Sequence, residues 1–178
     1  MEIEAPPVDL PQPGNGTGMG ILSGIGAIVS ILAMLTGGVP PAGIVGVVSS
    51  TAIIEYGAAV VAVGIGIPAV PATVYVTLLG VTLMLFLFAA LDTLADRSTT
   101  VRRLVGRAQR RAATIDRFRR WGPVALCLGV MVVGFYVCVP VAWLFGWPRY
   151  RSIIALSLGF FIGTATTAAL SAGLLSTL

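Results

Sequence analysis

One carboxylate stands alone in apolar sequence. Glu55 lies in the run Thr51-Ala52-Ile53-Ile54-Glu55-Tyr56-Gly57-Ala58-Ala59, with no other charged residue in the block 41–67. A charge at the centre of a bilayer costs about 2.5–3.5 kcal/mol on insertion scales, so intramembrane carboxyls mark proton relays and ion pathways. Apolar burial favours the neutral acid. A carboxyl reached from the two faces in turn can therefore take up a proton on one and release it on the other. That is one reading of Glu55: proton coupling, or cation contact, at a substrate cavity. The other is a neutral carboxyl bonded to backbone opened by a break in the helix. Tyr56 and Tyr136 flank two such presumed breaks and carry hydroxyls able to line a shared cavity or to pack with the hydroxyl satisfied. Gly57, Gly134 and Pro140 are the residues expected to make the breaks.

Little other chemistry is available. The chain has no histidine, which removes the commonest general base at neutral pH and the commonest metal ligand. Its two cysteines, Cys127 and Cys138, sit in apolar sequence and suggest neither a disulfide framework nor a zinc site. There is no lysine and no phosphate-binding G-x-x-x-x-G-K-[ST] loop. No cofactor, no metal and no enzymatic reaction are expected. All 11 basic residues are arginines between Arg97 and Arg151. Aromatics do not interleave with them before Phe118 and Trp121, so a nucleic-acid partner is not expected.

These residues must be positioned by a membrane fold. Of 178 residues, 57% are apolar and 10% charged, and the mean hydropathy is +0.98. Soluble domains carry about 25% charged residues. Residues 1–18 read as a flexible acidic tail rich in Pro and Gly. Apolar blocks follow at 19–36, 41–67, 71–91, 122–147 and 152–175, against the roughly 20 residues that a spanning helix needs. In the first block Gly16, Gly20 and Gly24 recur at small-xxx-small spacing, which lets another helix approach. Blocks 41–67 and 122–147 differ from the rest, with Glu55-Tyr56-Gly57 and Gly134-Phe135-Tyr136, then Pro140, near their middles. A re-entrant hairpin needs such features, because its tip leaves helical geometry inside protein.

Between the third and fourth blocks, residues 92–121 are polar. Val101, Leu104, Val105, Ala108, Ala112 and Ile115 fall on one helical face, while Arg102, Arg103, Arg107, Arg110 and Arg111 take other positions. This pattern predicts an amphipathic helix on anionic lipid headgroups, at the cytoplasmic face by the positive-inside rule.

The chain also repeats itself. Gly66-Ile67-Pro68 and Gly146-Trp147-Pro148 each precede a helix that reaches Leu-Gly, and Glu55-Tyr56 aligns with Phe135-Tyr136. If both broken blocks are re-entrant, the halves are inverted and Arg149 and Arg151 join the other arginines inside. If both cross fully, those two arginines face outside. Charge distribution favours the first, as does the inverted-repeat construction of secondary transporters. The expectation is an all-α integral protein of the plasma membrane, with three spanning helices and two re-entrant helical hairpins in inverted repeat. Its halves are 19–91 and 122–178, joined by the cytoplasmic segment 92–121. So small a unit is expected to dimerise. Trp143, Trp147 and Tyr150 read as an interfacial belt, and Asp92 and Asp96 as a solvated helix end, the other reading being that they pair with nearby arginines.

Ile54-Glu55-Tyr56-Gly57-Ala58-Ala59 with Gly66-Ile67-Pro68, and Trp143 to Arg149 through Gly159, resemble the small multidrug export protein family. That family is distantly similar to DedA-type membrane proteins. The resemblance covers about residues 43–170. It implies a re-entrant-hairpin fold and a transport role, the DedA-type relatives being associated with lipid translocation. Two departures stand out: the family's arginine after the Glu is Gly57 here, and the Pro-rich tip of the second hairpin is reduced to Val139-Pro140. Function on this reading is secondary transport, with or without proton coupling, of a small cationic or amphipathic molecule or of a lipid. The competing class is a scaffold that binds anionic lipid or a partner through the arginine helix.

Overall fold

The computed structural model describes residues 16–98 and 116–175. Among them are seven helices: α1 (Gly16–Thr36), α2 (Pro41–Ile54), α3 (Gly57–Gly64), α4 (Ala69–Arg97), α5 (Asp116–Val133), α6 (Phe135–Leu144) and α7 (Arg149–Leu175). Three apolar stretches are long enough to cross a membrane, at Thr17–Thr36, Ala69–Arg97 and Arg149–Leu174. α4, at 29 residues, runs about 44 Å. α3, at 8 residues, and α6, at 10, span only about 12 and 15 Å, well short of a hydrocarbon core about 30 Å thick.

Three corners join helices by the same device. Gly38-Val39-Pro40, Gly66-Ile67-Pro68 and Gly146-Trp147-Pro148 each place the glycine at positive φ, at 76°, 90° and 64°. The glycine amide and the next amide close the preceding helix: Gly66 N on Val63 O and Ile67 N on Ala62 O, matched by Gly146 N on Trp143 O and Trp147 N on Ala142 O. That is a Schellman cap, which needs a left-handed residue and so favours glycine. Proline then opens the next helix, where its missing N–H costs nothing. The first corner was not foreseen, although the same triplet spells it.

The broken blocks are helical hairpins. A Cβ on Gly43 would lie 3.0 Å from Ile65 Cδ1 and one on Gly46 would lie 4.0 Å from Val61 Cγ1, so α2 folds back along α3. Gly129 lies against Cys138 and Gly122 against Trp147, so α5 folds back along α6 in the same way. The long helices alternate in direction. Gly26 meets Thr82 and Gly37 meets Tyr75, making α1 and α4 antiparallel. Gly80 meets Phe160 and Asp92 meets Arg149, making α4 and α7 antiparallel. Each hairpin thus returns the chain to the end it left.

Helix contacts interchange when the halves are exchanged. α3 packs on α7 as α6 packs on α4; α2 packs on α4 as α5 packs on α7; α4 and α7 pack on each other. The core is built from Met34, Val47, Val76, Met84, Phe88, Phe135, Leu156 and Phe160, all 0 or 1% exposed. Outward side chains are apolar, with Ile53 78% and Val132 85% exposed, as befits a surface solvated by lipid tails. Many hydroxyls within the helices bond backward, Ser30 to Gly26 O and Thr82 to Leu78 O, whereas the buried hydroxyls of Thr77 and Thr164 have no partner among the described residues.

Some sequence expectations shift. Among the described residues a Cβ on Gly20 or Gly24 would meet nothing within 4 Å, and the close approach of α1 to α4 falls on Gly26. α1 already begins at Gly16. The polar segment 92–121 gives its ends to α4 and α5. Arg102, Arg103, Arg107, Arg110 and Arg111 lie outside the described residues.

Candidate functional site

The two hairpin tips meet, and the residues that break them make the joint. α2 ends at Ile54, and Glu55 takes φ 53° and ψ −101°, an uncommon conformation for a residue with a side chain. α5 ends at Val133, and Gly134 takes φ 90°. Glu55 Oε2 accepts the amide of Phe135 at 3.0 Å and Oε1 the amide of Tyr136 at 3.3 Å. These are the first two residues of α6, whose opening amides have no partner within the helix. Glu55 is therefore the N-cap of a helix in the other half. The partial positive charge at that helix start offsets part of what a half-buried carboxylate costs.

Gly134 makes this possible sterically as well. A Cβ there would overlap the Glu55 carboxylate. Gly57 is small for a different reason: a Cβ would run into the side chain of Ile54, on the last turn of α2.

The tyrosines complete the exchange. Tyr136 Oη donates to the carbonyl of Ala52 at 2.6 Å, and Tyr56 Oη donates to the carbonyl of Val130. Both acceptors lie in the last turn before a break; the Val130 carbonyl also accepts the Gly134 amide at 3.0 Å, so there the tyrosine uses the second lone pair. Each tyrosine thus serves the opposite hairpin, so backbone groups at both tips are bonded across the joint.

Beneath the tips lies an aromatic floor. Tyr56 stacks on Phe160, with centroids 5.1 Å apart, and Phe135 meets Phe160 edge-on at 5.3 Å. Phe160 fills the space above Gly80 where α4 and α7 cross, and a Cβ on Gly163 would strike the Tyr56 ring. Among the described residues the two hairpins share no helix–helix packing. The tip bonds are their direct link.

The sequence-predicted residues sort plainly. Glu55, Tyr56, Tyr136 and Gly134 come together in one cluster. Pro140 lies inside α6, which runs on to Leu144; the turn that Pro140 was expected to make is made at Gly134 instead. Arg149 does not reach Glu55. It donates to Asp92 Oδ1 at 2.7 Å, and Trp143 Nε1 donates to the same oxygen at 2.9 Å. Asp92 is thus a clamp between α4, α6 and α7, with its side chain 12% exposed, and not a solvated helix end. The signal for it was present: an acid in a long apolar helix, and a tryptophan and an arginine bracketing the Gly-x-Pro corner. The Phe160–Gly80 crossing left no motif that could have been read.

A family model described as "Putative small multi-drug export protein" matches residues 54–166. The chain belongs to this family. The match begins one residue before Glu55 and runs across both tips, the Asp92 clamp and the Phe160–Gly80 crossing into α7. The shared unit is therefore the joint and the helices that hold it, while α1 and most of α2 precede it. No curated protein and no solved structure matches the chain.

Proposed function

We propose that this membrane protein is a small secondary transporter whose two hairpins re-enter the bilayer from opposite faces. The Glu55 joint is its proton-responsive element. The observation that carries the reading is the bridge from Glu55 to the amides of Phe135 and Tyr136. Both oxygens face donors, an arrangement that suits the ionised form. A proton on either oxygen sets an O–H donor against an N–H donor. Protonation therefore weakens the link between the halves, and deprotonation restores it. A joint with two such states lets access pass from one face to the other.

The orientation follows from the hairpins. Each returns the chain to the end it left, so re-entry places residue 69 at one face and residue 149 at the other. Arg149 and Arg151 then share a face with the arginines between α4 and α5, the cytoplasmic face by the positive-inside rule. The family description makes a small amphipathic cation the first substrate to try. Ile53, Ile54, Val132 and Val133, exposed beside the tips, supply an apolar surface on which two copies can pair.

The test is flux in proteoliposomes, with ethidium as substrate and an imposed pH gradient. Gradient-driven ethidium movement is expected, and Glu55→Gln abolishes its dependence on pH. Movement that is absent, or unchanged in Glu55→Gln, overturns the reading. Orientation is tested with cysteines at Ala69 and Tyr150, labelled by impermeant reagent on intact cells. Labelling of position 150 from outside contradicts re-entry.

A further inference from the structure

A cavity of about 470 Å³ opens between α5 and α7, and none of the joint residues lines it. Val124, Cys127 and Leu128 form its α5 wall, and Ile154, Ala155 and Leu158 its α7 wall. Arg151 is the one charged residue that lines it. The construction follows from the sequence. On α7, Arg151, Ile154, Ala155 and Leu158 fall at i, i+3, i+4 and i+7, one continuous face. On α5, Val124, Cys127 and Leu128 fall at i, i+3 and i+4. At Gly159 the two helices come so close that a Cβ would overlap the carbonyl of Cys127. Next to that contact Ala155, 8% exposed, is too small to fill the gap, and the larger side chains stand up as rims: Leu128 is 60% and Leu158 53% exposed.

Charge decides the occupant. Arg149 is engaged with Asp92, whereas Arg151 makes no ion pair among the described residues. Arg151 stands in the first turn of α7, where unpartnered backbone amides also favour an anion. From there the face descends about 10 Å along apolar side chains to Leu158. A slot with a cation and a helix start at its head, and only apolar walls below, is complementary to an anion carrying a hydrocarbon chain.

We propose that this groove holds an anionic phospholipid of the surrounding bilayer, its phosphate on Arg151 and one acyl chain between α5 and α7. The site does not depend on transport.

The test uses the full chain in nanodiscs. A phosphatidylglycerol with a photoreactive group on its acyl chain is expected to label peptides that contain 124–128 or 154–158. Phosphatidylglycerol bound after detergent extraction, counted by native mass spectrometry, is expected to exceed phosphatidylcholine. Arg151→Gln lowers that preference about fivefold, the weight of one arginine at an anionic headgroup. Leu158→Trp, at the rim, lowers labelling of the groove peptides while leaving the melting temperature near that of wild type. Labelling spread evenly over α1 and the other lipid-facing helices, or a phosphatidylglycerol preference unchanged in Arg151→Gln, overturns the site. Ethidium flux is read on the same variants, so a failed transport reading and a failed lipid site remain distinguishable.

Discussion

Glu55 and Gly134 hold the same place in the two hairpins and break their helices by opposite means. Both residues have positive φ, 53° and 90°. At Gly134 the conformation is nearly free, because no Cβ opposes it, but a glycine brings no functional group. At Glu55 the conformation costs about 1–3 kcal/mol and brings a carboxylate. Neither residue suffices alone. The carboxylate occupies the space that the missing Cβ leaves, and it bonds the two amides that the glycine break exposes. Around them the tyrosines are nearly symmetric, each bonding a carbonyl of the other hairpin. The two hairpins thus share a similar scaffolding at their tips, while the carboxylate is placed on one side only.

The pairing can be broken most directly at Gly134. Gly134→Ala places a Cβ at a strained φ and against the carboxylate, so a loss of about 3 kcal/mol or more is expected. Thermal unfolding in detergent reads it, and a melt near wild type means that Glu55 does not sit over Gly134. Next come two replacements of Glu55. Glu55→Ala keeps the strain and strands two amides, at about 1–3 kcal/mol each. Glu55→Gly strands the same amides but relieves about 1 kcal/mol of backbone strain, so it is expected to unfold later than Glu55→Ala. The reverse order would show that φ at residue 55 is relaxed. Smaller still, Tyr56→Phe should cost about 1 kcal/mol. Tyr136→Phe should cost less, because Tyr136 is 37% exposed; equal losses would make the two tips energetically alike. Smallest is Asp92→Asn, away from the tips. With the Arg149 side chain 27% exposed, under about 1 kcal/mol is expected. A loss as large as that at Gly134 would move the structural weight from the joint to the Asp92 clamp.

Much was legible in the sequence for a specific reason. Membrane helices are written as runs of composition, and turns inside them are written in residues that backbone geometry demands. The apolar blocks therefore marked the three long helices, and the two broken blocks proved to be helical hairpins. The Gly-x-Pro triplets marked corners, because a left-handed cap followed by a missing amide admits few other residues. Glu55 stood out because an apolar solvent leaves a charge no anonymous place. Pro140 misled for the same reason that Gly134 could be read: both are helix breakers by type. A proline six residues into α6 nevertheless leaves the helix running, whereas a glycine at positive φ ends one.

Partnership was decided only by the tertiary structure. Sequence placed Glu55 and Tyr56 in one apolar block and Tyr136 in another, with Arg149 beyond the second. The antiparallel crossing of α4 and α7, set by Phe160 over Gly80, brings the two tips together and takes Arg149 to Asp92. A hydrogen bond from an amide to a carboxylate leaves no trace in residue type, since every residue except proline carries the amide. So composition and backbone rules in the sequence determined the membrane helices, the corners and the lone acid. Which backbone that acid would cap was determined by the packing of bulk into gaps, which exists only once the helices have met.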